Sequence, residues 1–561
     1  MAFVSLAILL TAACAAPAAK PDAGTTPNTP ASPKRILAAI GSDPPTISAD
    51  FIVAGSGTIP GGDALEELLN AGLSHADGEG RLHPQLAEAV PSIDNGLWQV
   101  FPDGRMETRW TLRANAVWHD GTPVTTADLL FSATLSQDRD LPVFRDSTNA
   151  YNFVDRIDVP DARTLVVSWT RPFIRADALL PSLRPQHILE ASYLADKQSM
   201  LLHPYWTEAY VGAGPFQLRE WVRGSHLIMQ AFDRYPLGRP KVDEIKVKFI
   251  QDRNAIIANI LAGEVELTMG RNLSLPQAVQ LRDQWKDGRI DVGYTNWISA
   301  WPQLLNPTPA ALLDVRFRRA LLHGIDREQM VQTIQYGLVP VAHSFVNPTE
   351  SVYKQIEPGI VSYDLDPRRA TQLLEEVGFT RAGDGFFRDA SGERITLQVR
   401  TSGDDDTHEA AVYSVADYLK NLGIVTEPFI IPQALRDDRE FNSTYPGLRV
   451  WRLPNDLWTL DRYTSKNAPV PENRFAGGNR SRYMNADFDR LVERYLVTIP
   501  EGERVGVLGQ IVRQMTDQVT ALGLWYNTET IMIGNRLRNV TNKKTGGANQ
   551  AWNAHEWDVI S

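Results

Sequence analysis

A single cysteine, Cys14, occurs in the 561 residues of this chain. No disulfide can close within it, so any fold it adopts must be held by packing, hydrogen bonds and ion pairs alone. A chain of this length exceeds what one hydrophobic core supports, and two or three domains are expected. Hydrophobic residues make up 43% of the chain and charged residues 22%, enough apolar material for such cores. The net charge of -11 argues against nucleic acid or an anionic membrane surface as the main partner.

Cys14 also ends an apolar run, Met1–Ala13. That run is shorter than the roughly 20 residues needed to cross a bilayer, and it fits the apolar region of a secretion signal. Leu9, Leu10, Thr11, Ala12 and Ala13 lead into the cysteine, which resembles a bacterial lipobox. There the cysteine is lipidated and becomes the new N-terminus. No Lys or Arg precedes the run, a departure from the usual signal. Residues 1–14 are expected to be a lipoprotein-type signal, the alternative being an ordinary signal peptide in which Cys14 is incidental. Residues 15–35 are rich in Ala, Pro and Thr. They have little to bury and are expected to be a disordered tether.

Beyond residue 35 the chain reads as mixed α/β. Strand-like runs occur at Arg35–Ile40, Arg163–Trp169, Leu227–Ala231, Ile245–Phe249, Ile395–Arg400 and Gly447–Trp451. Helix signals lie between them. Thr125 with Asp128 reads as a capping box, as does Asp326 with Gln329. Asn254–Ala262 reads as a helix closed by Gly263. Asp314 reads as an N-cap. Asp366-Pro367 opens a helix that Gly378 closes.

Enzyme signatures fail individually. Gly55 to Gly61 is glycine-rich but lacks the Lys-Ser/Thr of a phosphate loop. No GxSxG elbow is present. The ten histidines show neither HExxH nor a spacing suited to zinc. His119-Asp120 sits in Trp118–Pro123, which reads as a turn entering a capped helix, not as a base with its orienter. The acid pairs Glu66–Glu67 and Glu375–Glu376 read as solvated helix faces.

Longer segments carry more. Trp110 to Asp128 (WTLRANAVWHDGTPVTTAD) resembles a hallmark of the peptide- and nickel-binding family of ABC-importer receptors: a strand, an HDG-type turn and a capped helix. Gly212–Leu218 with Trp221, then Tyr235–Glu266, Asp314–Ala320 with Gly324–Arg327, Tyr363–Phe379 and Asn485–Asp489 resemble further segments of that family, in its order. The resemblance implies an extracytoplasmic solute-binding receptor that captures a peptide or peptide-like solute between two lobes and delivers it to a permease. It implies a two-lobed periplasmic-binding-protein fold (type II-like) with an inserted subdomain. Lobe I is expected from 36–64, 208–270 and 521–561, the subdomain from 65–207, and lobe II from 271–520. No cofactor, no metal and no catalytic residues are implied; a monomer is expected, outside the cytoplasm and lipid-anchored at Cys14. A hydrolase, or a sensor or chaperone-like binding protein without a transporter, is the alternative.

The chain departs from the family in one place. Peptide-binding members carry WxxD on a lobe II strand, whose carboxylate pairs with the peptide amine. Aligning on Trp451 puts Pro454 at the acid position; aligning on Leu460–Ser465 puts Arg452 there. Asp456 lies near and could substitute. The candidate ligand contacts are Trp297, Trp301, Thr401, Ser402, Trp451, Arg452, Asn455, Asp456 and Trp458. Each tryptophan has core packing as its alternative, and Arg452 has an internal ion pair. If Arg452 faces the ligand, it favours an anionic or neutral polar group over an ammonium.

Overall fold

The computed structural model describes residues 33–48, 59–141, 150–403, 405–545 and 550–560. The expected signal segment with Cys14 lies outside the described residues, as do almost all of the tether and positions 55–58 of the glycine-rich loop.

Two large sheets organise the body from Lys34 onward. The first has seven strands, in the spatial order Gly288–Gly293, Glu529–Gly534, Leu267–Thr268, Arg35–Ile40, Glu244–Phe249, His226–Ala231 and Phe216–Val222. Its centre is Arg35–Ile40, which pairs in parallel with strands on both sides. Ile36, Ala38 and Ile40 enter one core and Ala39 another. A strand covered on both faces reads as a continuous apolar run, as this one does.

The second sheet has five strands, in the order Val425–Ile430, Thr396–Thr401, Leu448–Pro454, Asn296–Pro302 and Leu522–Tyr526. Side-chain alternation splits its two faces. Ile298, Ala300, Leu448 and Val450 join the core formed with helix Asp406–Leu422, whereas Trp297, Trp301 and Leu453 face the other way. A third sheet, of four strands, lies within residues 98–169.

The sheets divide the chain at places other than those expected. Helix Leu275–Gln284 and strand Gly288–Gly293 fall in the expected lobe II range, yet the strand pairs with Glu529–Gly534 in the seven-stranded sheet. Leu522–Tyr526, expected in lobe I, pairs with Asn296–Pro302 instead. The chain therefore passes between the sheets at Tyr294–Thr295 and returns at Asn527–Thr528. The range expected as one subdomain is also split. Leu65, Leu68, Leu69, Phe131, Leu135, Leu189, Met200 and Trp206 pack into the seven-stranded core, while Leu73, Trp110, Trp118, Leu165, Trp169 and Leu183 join the core that reaches Trp297 and Tyr526. Alternation marks a strand but not the sheet it joins.

Local signals fare better. The Thr125–Asp128 capping box is present, and Gly378 adopts φ +107° at its helix end. At Asp326 the cap bond to the Gln329 amide forms, but the Gln329 side chain accepts from the Tyr418 hydroxyl instead of closing a box. His119 is structural: its Nδ1 accepts from the Gly212 amide at 3.2 Å and its Nε2 lies 3.1 Å from the Gly214 carbonyl. Burial holds its pKa down to about 4. That contact needs glycine at 212, where a Cβ would fall 1.9 Å from the Leu69 carbonyl oxygen. Glu375 and Glu376 are exposed. Glu66 is not a solvated acid, being buried in an ion pair with Arg184 at 2.8 Å.

Candidate functional site: the cleft between the sheets

A cavity of about 490 Å³ opens where the two sheets meet. The seven-stranded side contributes Thr46, Ser48, Gly61, Asp63, Arg271, Glu529 and Lys543; the five-stranded side contributes Asn296 and Arg452. A second cavity of about 350 Å³ is lined by Arg253, Ser274, Gln335, Tyr336, Asp405 and Thr528. Arg271 and Thr530 line both. The two are chambers of one cleft, and Arg271 crosses it to Asp405, Nη1 to Oδ2, at 3.5 Å.

The sheet places Arg452 in the larger chamber. Arg452 pairs with Ile298 across the antiparallel ladder, so it shares a face with Val450 and Asn296. Val450 is deep in the core, but Arg452 lies two residues nearer the crossing, where that core ends. Its guanidinium makes no ion pair and no side-chain hydrogen bond with any described residue. The other charges in the chamber are answered. Lys543 reaches Asp63 at 3.3 Å. Burial opposes the Lys543 charge, but Asp63 and Glu529 outweigh it and hold its pKa above the ordinary lysine value. Glu529 accepts from Asn296 Nδ2 at 3.1 Å.

The other candidates scatter. Trp297 and Trp301 are buried, edge to face with centroids 5.2 Å apart. Trp297 Nε1 lies 3.3 Å from the Tyr463 hydroxyl, and Trp301 Nε1 donates to the Trp451 carbonyl. They are core. Thr401 and Ser402 are buried, and Ser402 Oγ accepts from Arg449 at 3.2 Å. Trp451 is half-buried, with the Arg449 guanidinium 4.7 Å from its ring. Asn455 is fully buried and ties the crossing segment, its Nδ2 donating to the Tyr294 carbonyl at 2.5 Å. Asp456 caps the turn that follows, accepting from the Trp458 and Thr459 amides and the Thr459 hydroxyl. It also faces Glu350, whose carboxyl is pushed up to about 8 by burial and by Asp456. Trp458 lies 5.4 Å from the Arg175 guanidinium. Of the nine, only Arg452 lines either chamber.

The cleft also uses residues that sequence reasoning missed: Asp63, Arg271, Glu529 and Lys543. Arg271 had a signal. It follows Gly270, just past the strand Leu267–Thr268, and the ends of sheet strands are where ligand contacts gather. Lys543 had none.

The family model of bacterial extracellular solute-binding proteins, family 5 (middle region), matches residues 81–467, well over half of the chain. The chain belongs to family 5. Its members are solute-binding proteins of the cell exterior, and the receptor function follows for this chain. Among curated relatives, the oligopeptide-binding protein AppA of Bacillus subtilis is 23% identical over 444 residues, covering 76% of this chain and 75% of AppA. The family 5 fold recurs in solved structures. The oligopeptide-binding protein of Thermus thermophilus, complexed with a pentapeptide, has a TM-score of 0.65 at 21% identity, over 94% of this chain and 96% of that one. The binding protein AgaA of A. tumefaciens R10, in complex with agropinic acid, has a TM-score of 0.65 at 19% identity, over 94% of this chain and 99% of that one. Among the described residues, no helix is long and apolar enough to cross a membrane.

Proposed function

We propose that this receptor serves an ABC importer and captures a peptide-like solute through an anionic or neutral polar group held at Arg452. The carrying observation is the Arg452 guanidinium, which lines the interlobe chamber and forms no ion pair with any described residue. A bare ammonium would be repelled there. A carboxylate would meet a planar fork of donors that needs no deprotonation. The agropinic acid of AgaA and the pentapeptide of the Thermus protein bracket the size and chemistry of such a solute. On this reading the protein performs no chemistry on its ligand; it closes on it and presents it to a permease. A screen of thermal stability against free tripeptides, N-acylated peptides and opine-like amino-acid conjugates tests it, because a ligand that binds only the folded state raises Tm. The conjugates and acylated peptides should stabilise. Stabilisation by free-amine tripeptides alone would refute the proposed ligand class.

Lipid anchoring at Cys14 and a monomeric state belong to the same proposal. The export-processed protein should partition into detergent and carry acyl mass at its N-terminus, and Cys14→Ser should release it as soluble material. Recovery of unmodified, soluble wild type would refute the anchor.

A further inference from the structure

The face of the five-stranded sheet opposite Arg452 carries a second cluster of cations. Arg400 and Arg449 are register partners on adjacent parallel strands, so both side chains leave the sheet on one side. Arg480 and Arg482 approach from a loop that is fixed by Tyr445, whose hydroxyl donates to the Arg480 carbonyl at 2.7 Å. Tyr445 is 1% exposed, and Arg400, Arg449 and Arg482 are 5%, 4% and 5% exposed. All four guanidiniums act on the Tyr445 hydroxyl, and Arg462 adds its charge beside Arg480.

Two members of the cluster are held. Arg400 donates to Gln398 Oε1 at 2.7 Å and lies 4.7 and 5.1 Å from the rings of Phe441 and Phe429. Arg449 donates to the Asn442 carbonyl at 2.6 Å and to Ser402 Oγ. The other two are not. The guanidiniums of Arg480 and Arg482 make no hydrogen bond or ion pair with any described residue, and the Nε of each is buried without a partner. Burial pulls the pKa of both below the ordinary arginine value, yet a guanidinium stays charged at neutral pH. Arg482 also sits at φ +54°, a left-handed conformation that a residue with a side chain avoids unless its surroundings impose it. Charges taken out of water without a counter-charge are costly. Both guanidiniums face the Tyr445 hydroxyl, one of them at a strained position, and among the described residues no carboxylate answers either; a bound anion would.

We propose that Arg480 and Arg482, backed by Arg400, form a site for a small oxyanion of the phosphate class, separate from the Arg452 chamber. Guanidinium forks match such an oxyanion through paired N–H···O bonds. More than one unanswered positive charge favours a dianion over a single carboxylate. The oxyanion is either free in solution or the terminal group of a phosphomonoester.

The test titrates the full-length processed protein with inorganic phosphate and, separately, with glycerol phosphate, following Tm at constant ionic strength set by sodium chloride. A saturable rise with inorganic phosphate supports a free anion, and a rise with glycerol phosphate alone supports a carried one. In either case Arg482→Gln and Arg480→Gln should weaken the affinity roughly tenfold to a hundredfold, the loss of a charge-assisted bond. Without added anion both variants should be at least as stable as wild type, which checks that they fold. No saturable response to either compound overturns the proposal. So does a response kept in Arg482→Gln and lost in Arg452→Ala; that result would place the anion in the interlobe chamber, leaving the proposed ligand reading intact.

Discussion

Replacing Arg452 by alanine is expected to cost about 2–5 kcal/mol of binding free energy for a solute whose anion sits in the larger chamber. At about 1.4 kcal/mol per decade, affinity falls by between tens-fold and several thousand-fold. The size of the effect follows from what is left behind. The chamber's other cation from lobe I, Lys543, is engaged by Asp63, and Arg271 leans to Asp405. Neither is free to replace the lost fork, so the anion would be buried against a neutral wall. Asp456→Asn should change the same affinity little, since Asp456 spends its carboxylate on the turn it caps and asparagine caps nearly as well. Isothermal titration of both variants decides the matter. A free-amine tripeptide that binds tightly, is lost in Asp456→Asn and is kept in Arg452→Ala would overturn the assignment.

Trp297→Ala is expected to lower folding stability by about 3–5 kcal/mol while leaving ligand affinity near that of wild type. Trp297 is 2% exposed and packs against Trp301 and Phe345. Truncation would open a hole beneath the sheet that its rigid neighbours could not fill. Chemical denaturation gives the stability change, and titration of the surviving folded fraction gives the affinity. A variant of normal stability with lost binding would return Trp297 to the cleft.

These two residues show how far the sequence could be read. Arg35–Ile40 was legible to the residue, because a strand buried on both faces leaves an uninterrupted apolar run. The caps at Thr125, Asp314 and Asp366 were legible because their chemistry is confined to a few residues. Arg452 was legible only as the disputed position of a motif. Strand geometry dictates that Arg452 and Trp451 point to opposite faces, but not which face opens onto the chamber. That depends on where the Val450 core stops, which the strands at 296–302 and 396–401 decide together. Trp297 and Trp301 failed for the same reason: they sit close to the crossing in sequence but on the face that Tyr463 and Tyr526 cover. Arg271 and Lys543 are brought to one chamber by segments 272 positions apart, a juxtaposition no local pattern encodes.

The double crossing has a consequence for how the molecule is made. Strand Glu529–Gly534 sits between Gly288–Gly293 and Leu267–Thr268, so two earlier strands wait for it. Leu522–Tyr526 likewise supplies an edge of the other sheet. Neither lobe can finish its sheet until the last tenth of the chain has emerged from the ribosome, and pairings over such separations form slowly. A chain threaded through a secretion pore must stay unfolded until it is across. Until those late strands arrive both sheets are incomplete, a state that suits an exported polypeptide better than early folding would.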